Sequence, residues 1–261
     1  MGANAKKRRE AASSADLTRQ QKIDAVAPKG GGANRIVIAT ALAILAILAI
    51  VGTVIYNTAK EDDKTTAAGT SSSLPQGVSS NGGPIRAFSS ATLAAKAPTL
   101  DIYEDFQCPA CQQFESVLGG TVKELAQQGK IKANYHVMTF IDNNVHNDSS
   151  ARATEGAFCA ADQGKFEAFH DEVYANAPAN EGDGWTDAQL ADFAKKVGLD
   201  TNAWQTCTKA KKYSGYIDAV QTQTAKAGIT STPTIKLNGT KMDLGGMTPE
   251  KFTQAIENAA K

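Results

Sequence analysis

A run of β-branched and aromatic residues over 99–106 (Thr-Leu-Asp-Ile-Tyr-Glu-Asp-Phe) leads within two residues into Cys108-Pro109-Ala110-Cys111, and this junction restricts the fold more than any other stretch of the chain. Such side chains suit a pleated, half-buried strand. Proline has no amide hydrogen and a fixed φ, so Pro109 fits the first turn of a helix but not its interior. The spacing predicts a helix over 110–128, stopped by Gly129, and a second strand over 131–140. Strand, helix and strand in about 40 residues make a βαβ unit with parallel strands. Cys108 is thereby placed at the turn from strand to helix.

A short strand at 85–88 precedes this unit, and the folded region is expected to start near Ile85. The pattern over 148–228 is helical, with breaks expected at Gly164, in the 178–184 loop, at Gly198 and near Gly215. That is too much helix for one crossover, so it reads as a separate helical insertion. Strand signals return at 234–237, Asn238-Gly239 suits a two-residue hairpin turn, and a partner strand follows over 240–244. Thr248 can cap a closing helix with Pro249 in its first turn. No internal repeat is present.

Residues 36–56 contain no charge and are rich in Ile, Leu, Ala and Val. At about 1.5 Å per residue, a helix of this length spans a hydrocarbon core of about 30 Å. Lys6, Lys7, Arg8, Arg9, Arg19, Lys22, Lys29 and Arg35 precede it, whereas Lys60, Glu61, Asp62, Asp63 and Lys64 follow. This asymmetry puts the N-terminus in the cytoplasm and the rest of the chain outside, in a single-pass cell-membrane topology. A cleaved signal peptide is the alternative, against which stand the long basic region, the length of the apolar run and the want of a small-residue cleavage site. The expected organisation is a disordered cytoplasmic tail (1–35), a transmembrane helix (36–56), a flexible linker (57–84) and a domain over 85–261 with its helical insertion at about 148–228. A linker of this length has an end-to-end distance of about 30 Å as a random coil. The 27 basic and 27 acidic residues cancel, which argues against nucleic acid as a partner.

All four cysteines, at 108, 111, 159 and 207, follow the apolar run, as disulfide chemistry outside the cytoplasm would require. Cys108 at a helix N-terminus meets unpaired backbone N–H groups and the positive end of the helix dipole, which favour its thiolate. Cys111, one turn on, lies on the same face and can attack a disulfide formed at Cys108. Half of a zinc site is one alternative, but no second pair is near in sequence, and no metal is expected. An inert crosslink within one helical turn is another, although so small a loop constrains little. Cys159 and Cys207 are left for each other as a structural disulfide, or else as a second redox centre relaying electrons to Cys108. His136, His146 and His170 have no metal-like spacing and read as structural or surface residues. Phe158, Phe166, Phe169 and Tyr174 recur at near-helical spacing as core.

The stretch Asp101-Ile-Tyr-Glu-Asp-Phe-Gln-Cys-Pro-Ala-Cys111, together with Gly228-Ile-Thr-Ser-Thr-Pro-Thr-Ile235, resembles the DsbA-like branch of the thioredoxin-fold oxidoreductases over about residues 84–261. The element order agrees with an α/β thioredoxin fold carrying an inserted all-helical domain. The resemblance implies a cis bond between Thr232 and Pro233, in a loop that lies beside the reactive sulfur and binds the substrate peptide. It implies Cys108 and Cys111 as the catalytic pair, with Pro109 and Ala110 tuning it. Potentials in this fold span about 150 mV, or about 7 kcal/mol for two electrons. Many relatives carry a buried acid six residues before the first cysteine; here that position is Ile102. Glu104 has the same strand-face parity and is the candidate proton shuttle, with a surface carboxylate the simpler reading, while Asp101 and Asp105 should point the other way. The implied activity is oxidation of reduced exported clients by a monomer without organic cofactor, reoxidised by a membrane quinone-linked partner of the DsbB or VKOR type. A reductase or isomerase of the same fold, or a membrane-tethered peptide-binding or chaperone module, are the alternatives.

Overall fold

The computed structural model describes residues 73–261. The expected tail, the apolar run 36–56 and most of the expected linker lie outside the described residues. Among those described, no helix is long and apolar enough to cross a membrane.

Five strands form one sheet: β1 (Ile85–Arg86), β2 (Thr99–Asp105), β3 (Lys132–Met138), β4 (Thr234–Leu237) and β5 (Thr240–Lys241), in the order β1-β3-β2-β4-β5. β2 runs parallel to β3, as the βαβ pattern requires, and antiparallel to β4. β1 pairs with β3, and β5 with β4, in antiparallel fashion. Central and covered on both sides, β2 is buried along nearly its whole length, including Glu104 and Asp105. The outer strands are shorter than the sequence pattern suggests: β1 keeps two of the four expected residues, and β5 two of five. Both are edge strands, where side-chain pattern extends beyond the available backbone partners. Asn238 and Gly239 both take positive φ, 48° and 81°, in the tight turn between β4 and β5.

The helix after Cys108 runs as α1 (Pro109–Phe114), a π-helical turn (Glu115–Gly119) and α2 (Gly120–Gln127). The π-turn carries no sequence signature and was not anticipated. Six further helices follow: α3 (Ile141–Val145), α4 (Ser149–Ala161), α5 (Phe166–Ala175), α6 (Asp187–Lys196), α7 (Thr201–Lys209) and α8 (Ser214–Lys226). The break expected near Gly215 falls earlier, where Lys211 takes a φ of 47°, and Gly215 lies inside α8. The last helix, α9 (Pro249–Ala259), is capped by the Thr248 hydroxyl, which accepts from the Lys251 amide.

The ordered domain begins before Ile85. Val78 bridges to Ile85, the Arg86 amide donates to Gly77 O, and the Tyr216 hydroxyl donates to Gly83 O. A segment without apolar pairs, read from composition as the end of a linker, is thus tied down by hydrogen bonds and by the single side chain of Val78 packed against the core. Phe158, Phe166, Phe169 and Tyr174 are buried as expected, with the Phe158 and Tyr216 rings 5.0 Å apart.

Cys159 in α4 and Cys207 in α7 form a disulfide with Cα atoms 5.9 Å apart, beside the Trp204 indole N–H, which donates to Gly156 O. Closing this loop restricts the unfolded chain by about 4 kcal/mol on the chain-entropy model. The double variant Cys159→Ala, Cys207→Ala should therefore lose up to about that much stability in urea unfolding. In mass spectrometry after graded reduction, this bond should persist under conditions that open one between Cys108 and Cys111.

Candidate active site

Cys108 occupies the cap position of α1, with extended backbone (φ −79°, ψ 115°). Its carbonyl accepts from the amides of Cys111 and Gln112, and its own amide donates to Asp105 O. Pro109 takes the first helical position, as the sequence suggests, and with Ala110 it faces solvent. The Thr232–Pro233 peptide is cis, and the Thr232 carbonyl oxygen lies 3.4 Å from Cys108 Sγ. Residues separated by 124 positions thus meet at one sulfur.

The two cysteines have opposite environments. Cys108 is pulled down to about 6, chiefly because the Cys111 thiol donates to its thiolate; this outweighs its burial, helped by the Thr232 side chain and the amides of Cys111 and Ala110. Cys111 is fully buried, and burial drives its acidity the other way, far above the ordinary thiol range, reinforced by the nearby Cys108 and Glu104 charges. These environments favour the thiolate at Cys108 and the thiol at Cys111, the pattern that a nucleophile and leaving group at Cys108 would need.

Beneath Cys111, Glu104 is wholly buried, not a surface carboxylate, and its Oε1 lies 2.6 Å from His170 Nε2 of α5. His170 is likewise buried, which leaves the structural of its two expected readings, and Glu104 raises its pKa well above the ordinary value in spite of burial. The available signal was its place in the apolar stripe of Phe166, Phe169 and Val173. The Glu115 carboxyl reaches the same point from the π-turn, four residues after Cys111, and is pushed up to about 8 by burial and the Glu104 charge. Ile102, the position six residues before Cys108, is a buried apolar residue. Ligand-type atoms of Glu104, Glu115 and His170 come within 4.8 Å of one another. Two ligands of one tetrahedral zinc ion lie about 3.3 Å apart at bond lengths of about 2.0 Å, whereas the 2.6 Å contact is that of a proton-linked pair. His136 stacks on Tyr103 and bonds Asp101, and His146 is exposed at the end of α3.

On the other face of β2, Asp105 accepts from the Ser150 hydroxyl and from the amides of Gln107 and Ile141, and burial pushes it up to about 7. The Gln107 side-chain amide donates to Asp142, Ser150 and Asn147, and Asn147 in turn donates to Gly182 O. This network ties the residue before Cys108 to the insertion and to the loop that faces it. A cleft runs between Phe106, Cys108, Pro109 and Gln112 on one side and Ala177, Pro178, Asn180 and Gly182 on the other. Gly184 closes the loop onto Ser149 with a φ of 59°, so closely that a Cβ there would collide with the Ser149 side chain. Short-range pattern carried no sign of this network, because its members come from four separate segments.

The thioredoxin family model matches residues 94–258. The chain belongs to the thioredoxin family. Among solved structures, this thioredoxin-family chain is similar to the reduced disulfide bond oxidoreductase DsbG of Mycobacterium tuberculosis, at 29% identity over 70% of this chain and 90% of that one, with a TM-score of 0.59. It is similar to reduced DsbA of the same organism at 27% identity over 71% and 91%, with a TM-score of 0.56. MdbA, a thiol-disulfide oxidoreductase of Corynebacterium diphtheriae, shares the fold at 22% identity over 72% and 93%, with a TM-score of 0.56. No curated protein sequence matches. By these relatives the chain is an enzyme, a DsbA-type thiol-disulfide oxidoreductase.

In the reduced protein, alkylation of Cys108 should titrate with a midpoint near pH 6, while Cys111 should react far more slowly and only at higher pH. Because the Cys108 pKa is lowered on folding, the unfolded chain binds more protons between about 6 and 9, and this contribution to stability grows as pH rises through that window. It is on the order of 1 kcal/mol at pH 7. The oxidised form, in which neither sulfur titrates, should show no such contribution when its unfolding is compared by calorimetry.

Proposed function

We propose that this oxidoreductase works as an oxidase that introduces disulfides into reduced exported proteins, from a domain held outside the cytoplasm by the apolar segment 36–56. The observation that carries this reading is the opposed acidity of Cys108 and Cys111. A low-pKa sulfur leaves readily, so a mixed disulfide at Cys108 is biased towards release of an oxidised client.

A client thiolate attacks Cys108 Sγ of the oxidised pair. The Cys108–Cys111 bond breaks, and Cys111 departs and takes up a proton. A second client thiolate then attacks the client sulfur of the mixed disulfide, and Cys108 leaves as a stabilised thiolate. Two electrons pass from client to enzyme, and the client gains one disulfide. Thr232 and Pro233 form one wall of the site, and the Thr232 backbone lies where it can bond an incoming extended peptide. Glu104 is the group that exchanges the Cys111 proton, supported by its burial and by its charge acting on that thiol. A quinone-linked membrane partner of the DsbB or VKOR type regenerates the disulfide. The enzyme acts as a monomer, and no step calls for an organic cofactor.

The full chain, oxidised, should restore activity to a reduced multi-cysteine substrate, and Cys108→Ser should abolish this. Retention of client activity by Cys108→Ser would make the chain a binding module. A potential near that of thioredoxin, with no disulfide formation, would make it a reductase. Glu104→Gln should shift the pH dependence of Cys111 alkylation; an unchanged profile would remove Glu104 from the mechanism.

A further inference from the structure

Glu104 Oε2 and Glu115 Oε1 are both buried and have no hydrogen-bond partner while both groups are counted as carboxylates. Two facing acceptors without a donor are costly in a core. One proton between them removes both defects at once: Glu115 donates to Glu104 Oε2, and the His170 imidazolium donates to Glu104 Oε1. The glutamates then carry one negative charge together, the imidazolium carries one positive charge, and the buried group is neutral. The chain makes room for this arrangement. Glu115 Oε2 lies against the α-carbon side of Gly119 in the π-turn, in the space that a Cβ would fill. Of the three residues, Glu115 is the one partly open to solvent.

We propose that Glu115 and the insertion's His170 are positioning residues for the redox step, forming with Glu104 a carboxyl pair that holds one proton when Cys111 is a thiol and two when it is a thiolate. This rests on the proton-transfer role given to Glu104 above. When Cys111 resolves a mixed disulfide, its S–H bond breaks and the proton passes to the carboxyl pair. The Cys111 thiolate attacks Cys108 Sγ, the bond from Cys108 to the client sulfur breaks, and the client leaves as a thiolate. The Cys108–Cys111 disulfide is formed, two electrons reside on the client sulfurs, and the extra proton exits through Glu115. In the opposite direction the pair returns that proton to the departing Cys111. His170 engages Glu104 Oε1 at 2.6 Å, which leaves Oε2 as the acceptor for the Glu115 proton. Glu115, standing at about 8, is protonated at neutral pH as this requires.

The groups that face this site come from four elements. They are Glu104 of β2, Cys111 and Glu115 of the first helix, Tyr135 of β3, and Glu167, His170, Asp171 and Tyr174 of α5, with Asp105 acting on Tyr174 from the other face of β2. Asp171 is engaged outward by Lys123 at 2.7 Å, and Tyr135 and Tyr174 stay protonated because burial raises them well above their ordinary values. Neither competes for the shared proton.

The test uses the full chain with Cys108 in a mixed disulfide with thionitrobenzoate, whose release by Cys111 is followed in single turnover against pH. The wild type should show an inflection near pH 8. Glu115→Gln, a neutral mimic of the protonated acid, should fold normally, lose the inflection and slow release roughly tenfold or more. Gly119→Ala should displace the Glu115 carboxyl and do the same without removing any titratable residue from the chain. His170→Gln should move the inflection and slow release. Carbon-13 NMR of the glutamate carboxyls should find one group titrating near pH 8, absent in Glu115→Gln. If Glu104→Gln has the wild-type profile, the Glu104 reading fails and this proposal with it. If Glu104→Gln is slow but Glu115→Gln and Gly119→Ala keep the wild-type profile, or Glu115 titrates as an ordinary acid, this proposal alone is overturned.

Discussion

β2 is buried on both faces, and much of the molecule follows from that. A central strand that ends in Glu104 and Asp105 must bring partners to two carboxyl groups withdrawn from water, since an uncompensated buried charge costs several kcal/mol, on the order of 3 to 5 when one partner of a pair is removed. His170 answers Glu104 on one face, and Ser150 with the amides of Gln107 and Ile141 answers Asp105 on the other. His170 and Ser150 come from the helices between β3 and β4, as does the Ile141 amide at the start of α3, while Gln107 follows β2 directly. The insertion is therefore part of the redox site as well as a cover for the sheet.

The same burial produces the asymmetry of the cysteines. One helical turn carries Cys111 from the mouth of the site into the core, where its thiolate has little to stabilise it, while Cys108 keeps amides, a thiol and the Thr232 side chain around its sulfur. Redox direction in such a site is a competition between leaving groups, so a difference in environment over a few ångströms becomes a difference in function. The cis-proline loop matters for the same reason, since it brings a backbone carbonyl to 3.4 Å from Cys108 Sγ.

Local pattern revealed the elements that depend on near neighbours. The strand before Cys108, the helix opened by Pro109, the hairpin at Asn238-Gly239 and the Thr248 cap each rest on a few adjacent residues, and each is present. Less legible were features decided by distant partners. The 73–84 segment has only the isolated Leu74 and Val78 among its polar residues, yet its backbone is bonded to β1 and α8. His170 looked unremarkable because its significance lies 66 residues away, at Glu104. The π-turn that brings Glu115 inward has no side-chain period of its own.

By itself, the sequence determined that two cysteines one turn apart sit at a strand-to-helix junction, that a Thr-Pro dipeptide precedes a later strand, and that the remaining two cysteines are available to each other. These follow from spacing and from the backbone rules of proline, glycine and β-branched residues. Only the tertiary structure decided how far the environments of the two sulfurs diverge, which carboxyls are buried, and that the His170 imidazole pairs with the buried Glu104 whose charge acts on Cys111. Acidity depends on burial and on charges brought close from elsewhere in the chain, and those distances exist only once the sheet is covered on both faces.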